Sequence, residues 1–287
     1  MSMKFENTSF RGLDAIRISN GGSVVVVTLF GAHVCSWTLD GEEQLFLSSL
    51  AKFDQSKAIR GGIPVVFPQF GRPNEIMAQH GFARNSIWTF VEDGDASYLS
   101  LTDNEETKAV WPHSFRLTLS LTIEARNMKI DMSVENLGTN VLECHTLLHT
   151  YFRVADITKT CVKGFGGLAY KDHLGDHGTR QNEGETNIID REVDREYQDY
   201  PQDKKVSVVC DADSKQFDIQ TKATLDGNPT SFDVVFWSPW IDKCKATGDL
   251  DDDAYKRYVC IEPGTIADLK RVEAGSKLHL SKTIKVV

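Results

Sequence analysis

The sequence of 287 residues lacks any long apolar run. No stretch approaches the roughly 20 consecutive apolar residues that a membrane-spanning helix needs. The first residues, MSMKFENTSF, show no basic region followed by an apolar core, so we expect no secretory signal there. The last residues, IKVV, match no retention or peroxisomal signal. These absences predict a protein that neither crosses a membrane nor enters the secretory pathway.

Closely spaced cysteines are also missing, since none of the cysteines forms a CxxC pair. The six cysteines are scattered along the chain, at Cys35, Cys144, Cys161, Cys210, Cys244 and Cys260. Several lie inside apolar runs, as in VLECHTLL and YVCIEPG. Buried free thiols in a reducing compartment explain this pattern better than disulfides or a zinc site. We therefore predict a cytoplasmic protein.

Basic residues are outnumbered in this sequence. It has 32 lysines and arginines against 41 aspartates and glutamates, a formal net charge of -9. Such a surface repels nucleic acid and anionic membranes, so we predict neither as a partner. An anionic small molecule can bind only where a few basic residues converge against the overall field. We expect the chain to act as a monomer.

Helical periodicity is absent as well, because no window longer than ten residues carries a 3.6-residue apolar stripe. Strand patterns dominate instead. Phe115–Glu124 and Met128–Glu135 each alternate apolar and polar residues, and only the short turn Ala125–Asn127 lies between them. This pattern predicts an antiparallel hairpin. Ser23–Gly31 is a continuous β-branched apolar run, which is typical of a strand covered on both faces.

Many further short segments carry strand signals and turn residues separate them. These predicted strands are Val141–Val154, Val206–Asp211, Gln216–Lys222, Phe232–Trp237, Tyr258–Glu262 and Leu278–Val287. Many strands with few helices predict an all-β fold, a large sandwich or barrel. Because no repeat and no Pro/Ser/Gly-rich linker divides the chain, we predict one domain over residues 1–287. We interpret Lys171–Gln202 as long loops with short strands, and Thr247–Asp253 as a solvated acidic loop.

Two segments combine glycine with arginine in a way that folding alone explains poorly. RGGIPVVFPQFG, from Arg60 to Gly71, is interpreted as a shaped loop, and the two glycines would let Arg60 approach a ligand closely. QHGFAR gathers Gln79, His80 and Arg84 around one glycine. Arginine offers a planar fork of donors that suits phosphate. A structural turn with solvated side chains remains the alternative for both segments.

The segment LLHTYFRV places His149 inside an apolar strand, where a polar side chain needs a partner or a purpose. A hydrogen-bonded core histidine is the simpler interpretation. His145 and His149 have the H-x-x-x-H spacing of a helical zinc motif. In a strand, however, four residues span roughly 13 Å, which is too far for one metal ion to bridge. We therefore predict no metal site here.

Two acidic residues stand out near strand ends. Asp194 lies in EVDREY, a polar stretch in which solvated charge is the simpler interpretation. Glu262 lies in CIEPG, after an apolar strand and before Pro-Gly, a position from which a carboxylate can point into a cleft. Partial desolvation would raise the pKa of Glu262, and a raised pKa suits a general base.

Together these segments resemble the hexose-6-phosphate mutarotases, or glucose-6-phosphate 1-epimerases, of the galactose-mutarotase-like superfamily. Eight motifs follow the family's order from Gly31 to Gly264: GAHVCSW, RGGIPVVFPQFG, QHGFAR, WPHSFRL, LHTYFRV, EVDREY, WSPW and CIEPG. The resemblance implies a single large antiparallel β-sandwich, the supersandwich of that superfamily. It also implies an enzyme that interconverts the α and β anomers of a hexose 6-phosphate without a metal or cofactor.

The resemblance further implies a role for each candidate residue. His149 matches the general acid that protonates the ring oxygen, and Glu262 matches the general base that takes the proton of the anomeric hydroxyl. The family's substrate-binding positions are matched by Arg60, Gln79, Arg84 and Asp194, with the two arginines as phosphate ligands. His80 and Trp237 fall in motifs that line the site. Ser238 stands where the family usually has Asn, and its shorter side chain loses reach toward a sugar.

Three other functions fit parts of the pattern. A mutarotase of unphosphorylated aldoses would use the same acid and base, with the arginines binding hydroxyls or pairing with aspartate. A non-catalytic sugar-binding module would keep the cleft but would not need both His149 and Glu262. A glycosidase would use Asp194 and Glu262 as its carboxylate pair, at a separation of roughly 5 Å or 6.5–9.5 Å. The glycosidase leaves His149 without a task.

Overall fold

The alternating stretches of the sequence form strands that pair in antiparallel fashion. A computed structural model describes residues 2–94 and 96–287. The strands of the first half are Lys4–Phe10 (β1), Leu13–Asn20 (β2), Ser23–Thr28 (β3), His33–Leu39 (β4), Glu42–Glu43 (β5), Val65–Val66 (β6), Thr89–Asp93 (β7), Ala96–Thr102 (β8), Phe115–Glu124 (β9), Asn127–Asn136 (β10) and Leu142–Leu148 (β11). Those of the second half are Thr150–Arg153 (β12), Thr160–Lys163 (β13), Ala169–Asp172 (β14), Thr179–Gln181 (β15), Thr186–Ile188 (β16), Val193–Tyr197 (β17), Lys205–Cys210 (β18), Lys215–Leu225 (β19), Asn228–Pro229 (β20), Asp233–Ser238 (β21), Tyr258–Val272 (β22) and Lys277–Val286 (β23).

Helices are few and short. The α-helices are Glu105–Val110 (α1) and Trp240–Lys245 (α2), and 3₁₀ helices lie at Ala83–Asn85, Ile157–Lys159 and Ala254–Arg257. Within residues 2–94 and 96–287, no helix has the length and hydropathy to cross a membrane.

The strands form three sheets. A five-stranded sheet runs β1-β2-β3-β4-β5. A ten-stranded sheet follows the path β16-β13-β18-β19-β23-β10-β9-β8-β7, with β20 beside β19. An eight-stranded sheet follows the path β15-β14-β17-β21-β22-β11-β6, with β12 also paired to β22. The short β6 lies inside the segment interpreted from the sequence as a loop.

The eight-stranded and ten-stranded sheets face each other across a shared apolar core. Phe152 of β12 and Phe217 of β19 have ring centroids 5.0 Å apart, and Phe67 approaches Phe115 of β9 to 5.3 Å. Buried side chains from both sheets belong to one cluster. Burial of these large apolar surfaces drives the association of the two sheets. The predicted all-β antiparallel sandwich is therefore confirmed.

The hairpin predicted between residues 115 and 135 is confirmed. In β9 and β10, Glu124 pairs with Asn127 and Phe115 with Asn136, so the two strands are in register along their whole length. Ala125 closes the turn with a φ of 47°. Every second residue of β9 is buried, as the period of two indicates.

Two predictions about burial are wrong. In β3, Val25 and Val27 are fully buried, but Val24 and Val26 are half-buried, so this strand is not covered equally on both faces. The strand simply alternates between the core and a more open face. The acidic loop 247–253 is not wholly solvated either, because the Asp249 side chain is buried against two cationic groups.

The predicted strand Val141–Val154 is in fact two strands. It breaks at His149, between the end of β11 and the start of β12. Both pieces pair with the same partner, the 15-residue strand β22, which is much longer than the predicted Tyr258–Glu262. The break and the long partner strand together position the candidate acid and base.

Candidate active site

The break between β11 and β12 brings His149 next to Glu262. Leu147 pairs with Gly264 and Thr150 pairs with Ile261, so the break lies opposite Glu262 on β22. The backbone N–H of His149 donates to the carbonyl of Pro64, 3.1 Å away, instead of to β22. His149 Nδ1 lies 3.3 Å from Glu262 Oε1, a contact without hydrogen-bond geometry. Both side chains are buried.

Gly264 allows this close approach of the two strands. A Cβ atom at Gly264 would lie 2.3 Å from the Thr146 carbonyl oxygen and 2.5 Å from the Leu147 Cβ. Such distances are far shorter than van der Waals contact, so a larger residue would push β11 away from β22. The glycine of CIEPG therefore fixes the spacing between the strands that carry the acid and the base.

Aromatic rings hold the His149 imidazole in one orientation. The Tyr151 ring stacks on it, with centroids 4.7 Å apart and planes 7° from parallel. The rings of Trp237 and His80 stand nearly perpendicular to it, at centroid distances of 5.8 and 6.2 Å. A ring held on three sides presents its nitrogens in fixed directions, which proton transfer requires.

His80 is held in a single tautomer. Its Nδ1 accepts a hydrogen bond from the backbone N–H of Gly71 at 3.1 Å, so the proton of the neutral ring lies on Nε2. Burial, followed by the charges of Arg84 and Arg60, lowers the pKa of His80 to about 3. His80 is thus a neutral donor, suited to a hydroxyl group.

Asp194 and Trp237 lie on the same face of the sheet as the catalytic candidates. Asp194 of β17 pairs with Trp237 of β21, which in turn pairs with Cys260 of β22. Residues directly opposite in an antiparallel pair point to the same face. Glu262 follows Cys260 by two residues and therefore shares that face. Burial raises the pKa of Asp194 to about 6.

A cationic group lies beside this face. Arg60 Nε donates to Asp249 Oδ1 at 2.9 Å, and Arg60 Nη1 donates to the Tyr151 hydroxyl at 3.1 Å. Lys57 Nζ lies 2.8 Å from the other Asp249 oxygen. Asp249 therefore anchors both cations, and Tyr151 links Arg60 to the ring that stacks on His149.

Arg84 has an unused donor in this cluster. Its Nη2 donates to the Gln79 carbonyl at 2.7 Å, whereas its Nε is buried and has no hydrogen-bond partner among the described residues. Burial lowers the pKa of Arg84 to about 10, so the guanidinium stays charged at neutral pH. A buried, unsatisfied guanidinium N–H is costly unless a ligand accepts from it.

These cations line a cavity of about 380 Å³, a size typical of small-molecule sites. Its walls include Lys57, Arg60, Gln79, Arg84, Tyr151 and Asp249. Three positive side chains against one carboxylate leave the cavity positive, although the whole chain carries a net charge of -9. The local convergence of basic residues that an anionic ligand requires is present.

The glycines after Arg60 serve the protein's own packing. A Cβ at Gly61 would lie 2.5 Å from the Phe46 carbonyl oxygen, and one at Gly62 would lie 2.2 Å from that of Val34. Both glycines have positive φ values, 100° and 61°. We expected these glycines to leave room for a ligand beside Arg60. That expectation is wrong, because backbone atoms of the protein itself lie where their side chains would be.

Residues 14–283 match the protein family described as aldose 1-epimerase. The chain belongs to the aldose 1-epimerase family. The resemblance inferred from the eight motifs is thereby confirmed, and so is the prediction that the protein is an enzyme.

Two curated relatives of this aldose 1-epimerase family member are named as candidate glucose-6-phosphate 1-epimerases. The one from Cenchrus ciliaris is 35% identical over 254 residues, covering 84% of this chain and 74% of the relative. The one from Escherichia coli K12 is 35% identical over 284 residues, covering 96% of this chain and 90% of the relative. The crystal structure of a candidate mutarotase from Salmonella typhimurium superimposes with a TM-score of 0.85 at 26% identity, covering 99% of this chain and 93% of the other.

Burial changes the pKa values of Glu262 and His149 in opposite directions. It raises the pKa of Glu262 well above its usual value, and the nearby Asp194 charge adds to the rise. It lowers the pKa of His149, and the neighbouring His80, Arg60 and Arg84 side chains lower it further. Burial therefore favours a shared proton on Glu262 over one on the His149 imidazole.

One arrangement of donors near the acid and base fits a metal ion. His149, Cys260 and Glu262 each offer a ligand atom, and these atoms lie within 4.8 Å of one another. The sequence-based search for ligand spacing missed this group because His149 lies before β12 whereas Cys260 and Glu262 lie in β22, in a distant part of the chain. A cation bound there would occupy the same atoms that proton transfer needs. His145, the other half of the H-x-x-x-H pair, instead accepts from the Phe70 N–H at 3.1 Å.

The eight residues predicted for the site form one connected group, but three others in it were missed. Tyr151 lies within LHTYFRV, and its place beside His149 in an aromatic motif was the available signal. Asp249 was assigned to a solvated loop, because burial of one carboxylate in TGDLDDD leaves no trace in the sequence. Lys57 lies in a polar stretch that gives no signal at all. Ser238 is fully buried, which removes it from the cleft surface.

Proposed function

We propose that this protein interconverts the α and β anomers of a hexose 6-phosphate, with His149 as general acid and Glu262 as general base. One observation carries the proposal: an acid–base pair in contact at 3.3 Å lies beside a cavity with three cationic side chains, on a protein that is otherwise acidic. The names of the curated relatives support the same substrate.

The proposed reaction opens and closes the pyranose ring. Glu262 takes the proton of the anomeric hydroxyl as the C1–O1 bond becomes a carbonyl. The C1–ring-oxygen bond breaks, and His149 donates a proton to the departing ring oxygen. Rotation about the C1–C2 bond presents the other face of the aldehyde, and the reverse steps close the ring to the other anomer. Each proton returns to the group that supplied it, so no metal, cofactor or external reactant is consumed.

The pair of His149 and Glu262 can hold a single proton in two ways. Neutral His149 with protonated Glu262 and charged His149 with ionised Glu262 hold the same number of protons. The active pair is the second form, which differs from the first only in the position of one proton. The two groups titrate as a unit, and the pair is active while it holds one shared proton.

The remaining predicted residues take substrate-binding roles in this proposal. Arg84 Nε, which lacks a partner, and the neighbouring Arg60 bind the phosphate, and Lys57 adds a third charge. A charge-assisted contact to phosphate is about twice as strong as a neutral one. Further contacts to the sugar hydroxyls and ring come from His80, Gln79, Asp194 and Trp237.

A mutarotase of unphosphorylated aldoses is the second candidate. It is favoured by the pairing of both Arg60 and Lys57 with Asp249, which already neutralises part of their charge. In that case Arg84 would donate to a hydroxyl group instead of a phosphate.

An anomerisation assay separates these two functions. Freshly dissolved α-glucose 6-phosphate and α-glucose are followed by polarimetry with the wild-type protein and with Glu262→Gln. We expect the wild type to accelerate anomerisation of the phosphosugar far more than that of glucose. Glu262→Gln should accelerate neither reaction. Equal acceleration of both sugars would favour the aldose enzyme, and acceleration of neither by the wild type would disprove the proposal.

The proposed setting is the cytoplasm, with the protein acting as a monomer. The six cysteines support this setting, since all are free thiols and five of them are buried. Size-exclusion chromatography with light scattering tests the monomer.

A further inference from the structure

A lysine lies fully buried beneath the strand that carries Glu262. Lys282 of β23 belongs to the ten-stranded sheet, and its side chain is 0% exposed. Its Nζ reaches the opposite sheet, where it donates to the Thr150 hydroxyl and lies 5.4 Å from the centroid of the Phe152 ring. Lysine is almost never fully buried without a counter-charge, because removing an ammonium group from water is costly. One hydroxyl and one aromatic ring do not supply that charge.

Glu262 lies one residue beyond the strand partner of Thr150, and its carboxylate is the negative charge that acts on this ammonium group. Thr150, which holds the ammonium group, pairs with Ile261, the residue before Glu262. Burial lowers the pKa of Lys282 to about 7, and the charge of Glu262 is the largest influence in the opposite direction. In return, Lys282 lowers the pKa of Glu262 against the rise that burial and Asp194 cause.

Several other titratable groups face Glu262 from the cleft side of the sheet. They are His149 before β12, Tyr151 in β12, Asp194 in β17, Cys260 in β22 and Arg84 in the 3₁₀ helix Ala83–Asn85. Among them Arg84 is the permanent cation, and it lines the cavity. A bound phosphate neutralises the charge of Arg84, so that this charge stabilises the ionised form of Glu262 less. Lys282 lies in the closed core, where no substrate reaches it.

We propose that Lys282 is a positioning residue for Glu262: its ammonium group, held on Thr150 in the sandwich core, is the counter-charge that keeps the Glu262 carboxylate ionised when substrate fills the cleft. The inference rests on the proposed role of Glu262 as the base. It gives a reason for the shared proton to move from Glu262 to His149, since the ammonium group favours the arrangement with negative charge on Glu262.

The first experiment compares pH–rate profiles for α-glucose 6-phosphate anomerisation in the wild type, Lys282→Met and the control Lys285→Met. Lys285 lies in the same strand but is exposed. Loss of an opposite charge raises a carboxyl pKa by about 1 unit or more. We therefore expect the acidic limb of kcat for Lys282→Met to move up by about one pH unit, with a roughly tenfold loss below the limb. KM should stay unchanged, because Lys282 does not touch substrate, and Lys285→Met should match the wild type.

A folded Lys282→Met whose acidic limb coincides with that of the wild type overturns the inference. If this variant does not fold, Lys282→Gln replaces it, since an amide keeps the hydrogen bond to Thr150 but not the charge. The same shift of the acidic limb is expected.

The second experiment needs neither activity nor a Lys282 variant. In protein with ¹³C-labelled lysine, NMR titration should reveal one lysine with a pKa of about 7. In Glu262→Gln, which removes the counter-charge, that pKa should fall by about one unit. A wild type without such a lysine, or a pKa unchanged in Glu262→Gln, overturns the inference even if the enzyme anomerises sugar phosphates. A shifted lysine in a protein that does not anomerise them rejects the proposed function and retains the charge pair.

Discussion

At the scale of single residues, His149 and Glu262, which lie 3.3 Å apart, act as one proton-transfer unit in the proposed mechanism. His149→Asn and Glu262→Gln keep approximate size and hydrogen-bonding capacity, so the fold should survive. Each should lower kcat by about 10²-fold or more, and the double variant should be little worse than either single one, because groups acting as a unit are not additive. Steady-state kinetics on the phosphosugar measures this. A folded Glu262→Gln within a few-fold of wild type would make Asp194 the next candidate base.

The pH profile of the wild type follows from the same pair. The pair is active while it holds one shared proton, so activity is lost when a second proton binds and when the last one leaves. Burial raises the pKa of Glu262 and lowers that of His149. We expect a bell-shaped profile whose acidic limb reports the pair binding a second proton and whose basic limb reports the pair losing its last one. A kcat independent of pH across both limbs would contradict the mechanism.

Arg84 and Arg60 differ in how free they are to bind phosphate. Arg84 has a buried donor that meets no acceptor among the residues that the structure describes, whereas Arg60 donates to Asp249 and Tyr151. Arg84→Ala should lower kcat/KM for glucose 6-phosphate about 10- to 150-fold, the worth of a charge-assisted contact of roughly 1.5–3 kcal/mol, and affect glucose less. Arg60→Ala should show the same preference, with an added loss on both sugars because it frees the Asp249 carboxylate.

The exposed Arg72 lies near the same loop and provides the matched control. Arg72→Ala should leave both sugars unaffected. Equal losses on glucose and glucose 6-phosphate in Arg84→Ala would show that this arginine does not bind the phosphate.

At the scale of elements, the contact of β11 with β22 depends on Gly264. In Gly264→Ala the new methyl group meets the Thr146 carbonyl oxygen at 2.3 Å, so the strands must separate. We expect a loss of about 2 kcal/mol or more in the free energy of unfolding, together with lower kcat, because the strands also set the distance from His149 to Glu262. Urea unfolding measures the first effect. Gly248→Ala, whose Cβ meets no atom within 4 Å, is the control, and equal stability of the two variants would refute the argument.

Periodicity predicted the regular elements well and the irregular ones poorly. The hairpin β9–β10 follows from local alternation, which is a property of the residues themselves. The break at His149 does not, because the pattern of LLHTYFRV shows no interruption and the break arises where the His149 N–H donates to the carbonyl of Pro64 in a distant loop. The half-open face of β3 was missed for a similar reason, since a run of valines has no period that shows which face the core covers.

At the scale of the whole molecule, the site is assembled from segments that no local pattern connects. His149, Glu262 and Arg84 could be proposed for the site because their motifs resemble a family. The anchoring of Lys57 and Arg60 by Asp249 could not be predicted, since it joins segments nearly 200 residues apart. Lys282 is in phase with the apolar residues of its strand, so the alternation does place it on the core face, but nothing in that pattern shows which carboxylate it faces. The single domain over residues 1–287 stays a prediction.

Independence from metal ions is a property of the whole enzyme in this mechanism, since the acid and the base complete the proton balance by themselves. Activity should survive prolonged treatment with EDTA. Added zinc should inhibit, because His149, Cys260 and Glu262 offer it three ligand atoms within 4.8 Å of one another. Loss of activity in EDTA that zinc or magnesium restores would overturn the cofactor-free mechanism.

The long strand β22 also determines at what stage of synthesis the candidate active site can fold. It pairs with β11, β12 and β21, and all three precede it in the chain. During synthesis these strands therefore leave the ribosome before their partner exists, with unpaired edges that invite association with other chains. Because such pairings between distant segments form slowly, a newly made chain passes through a period in which aggregation competes with folding. The proposed acid and base come together only when residues 258–272 insert between β21 on one side and β11 and β12 on the other.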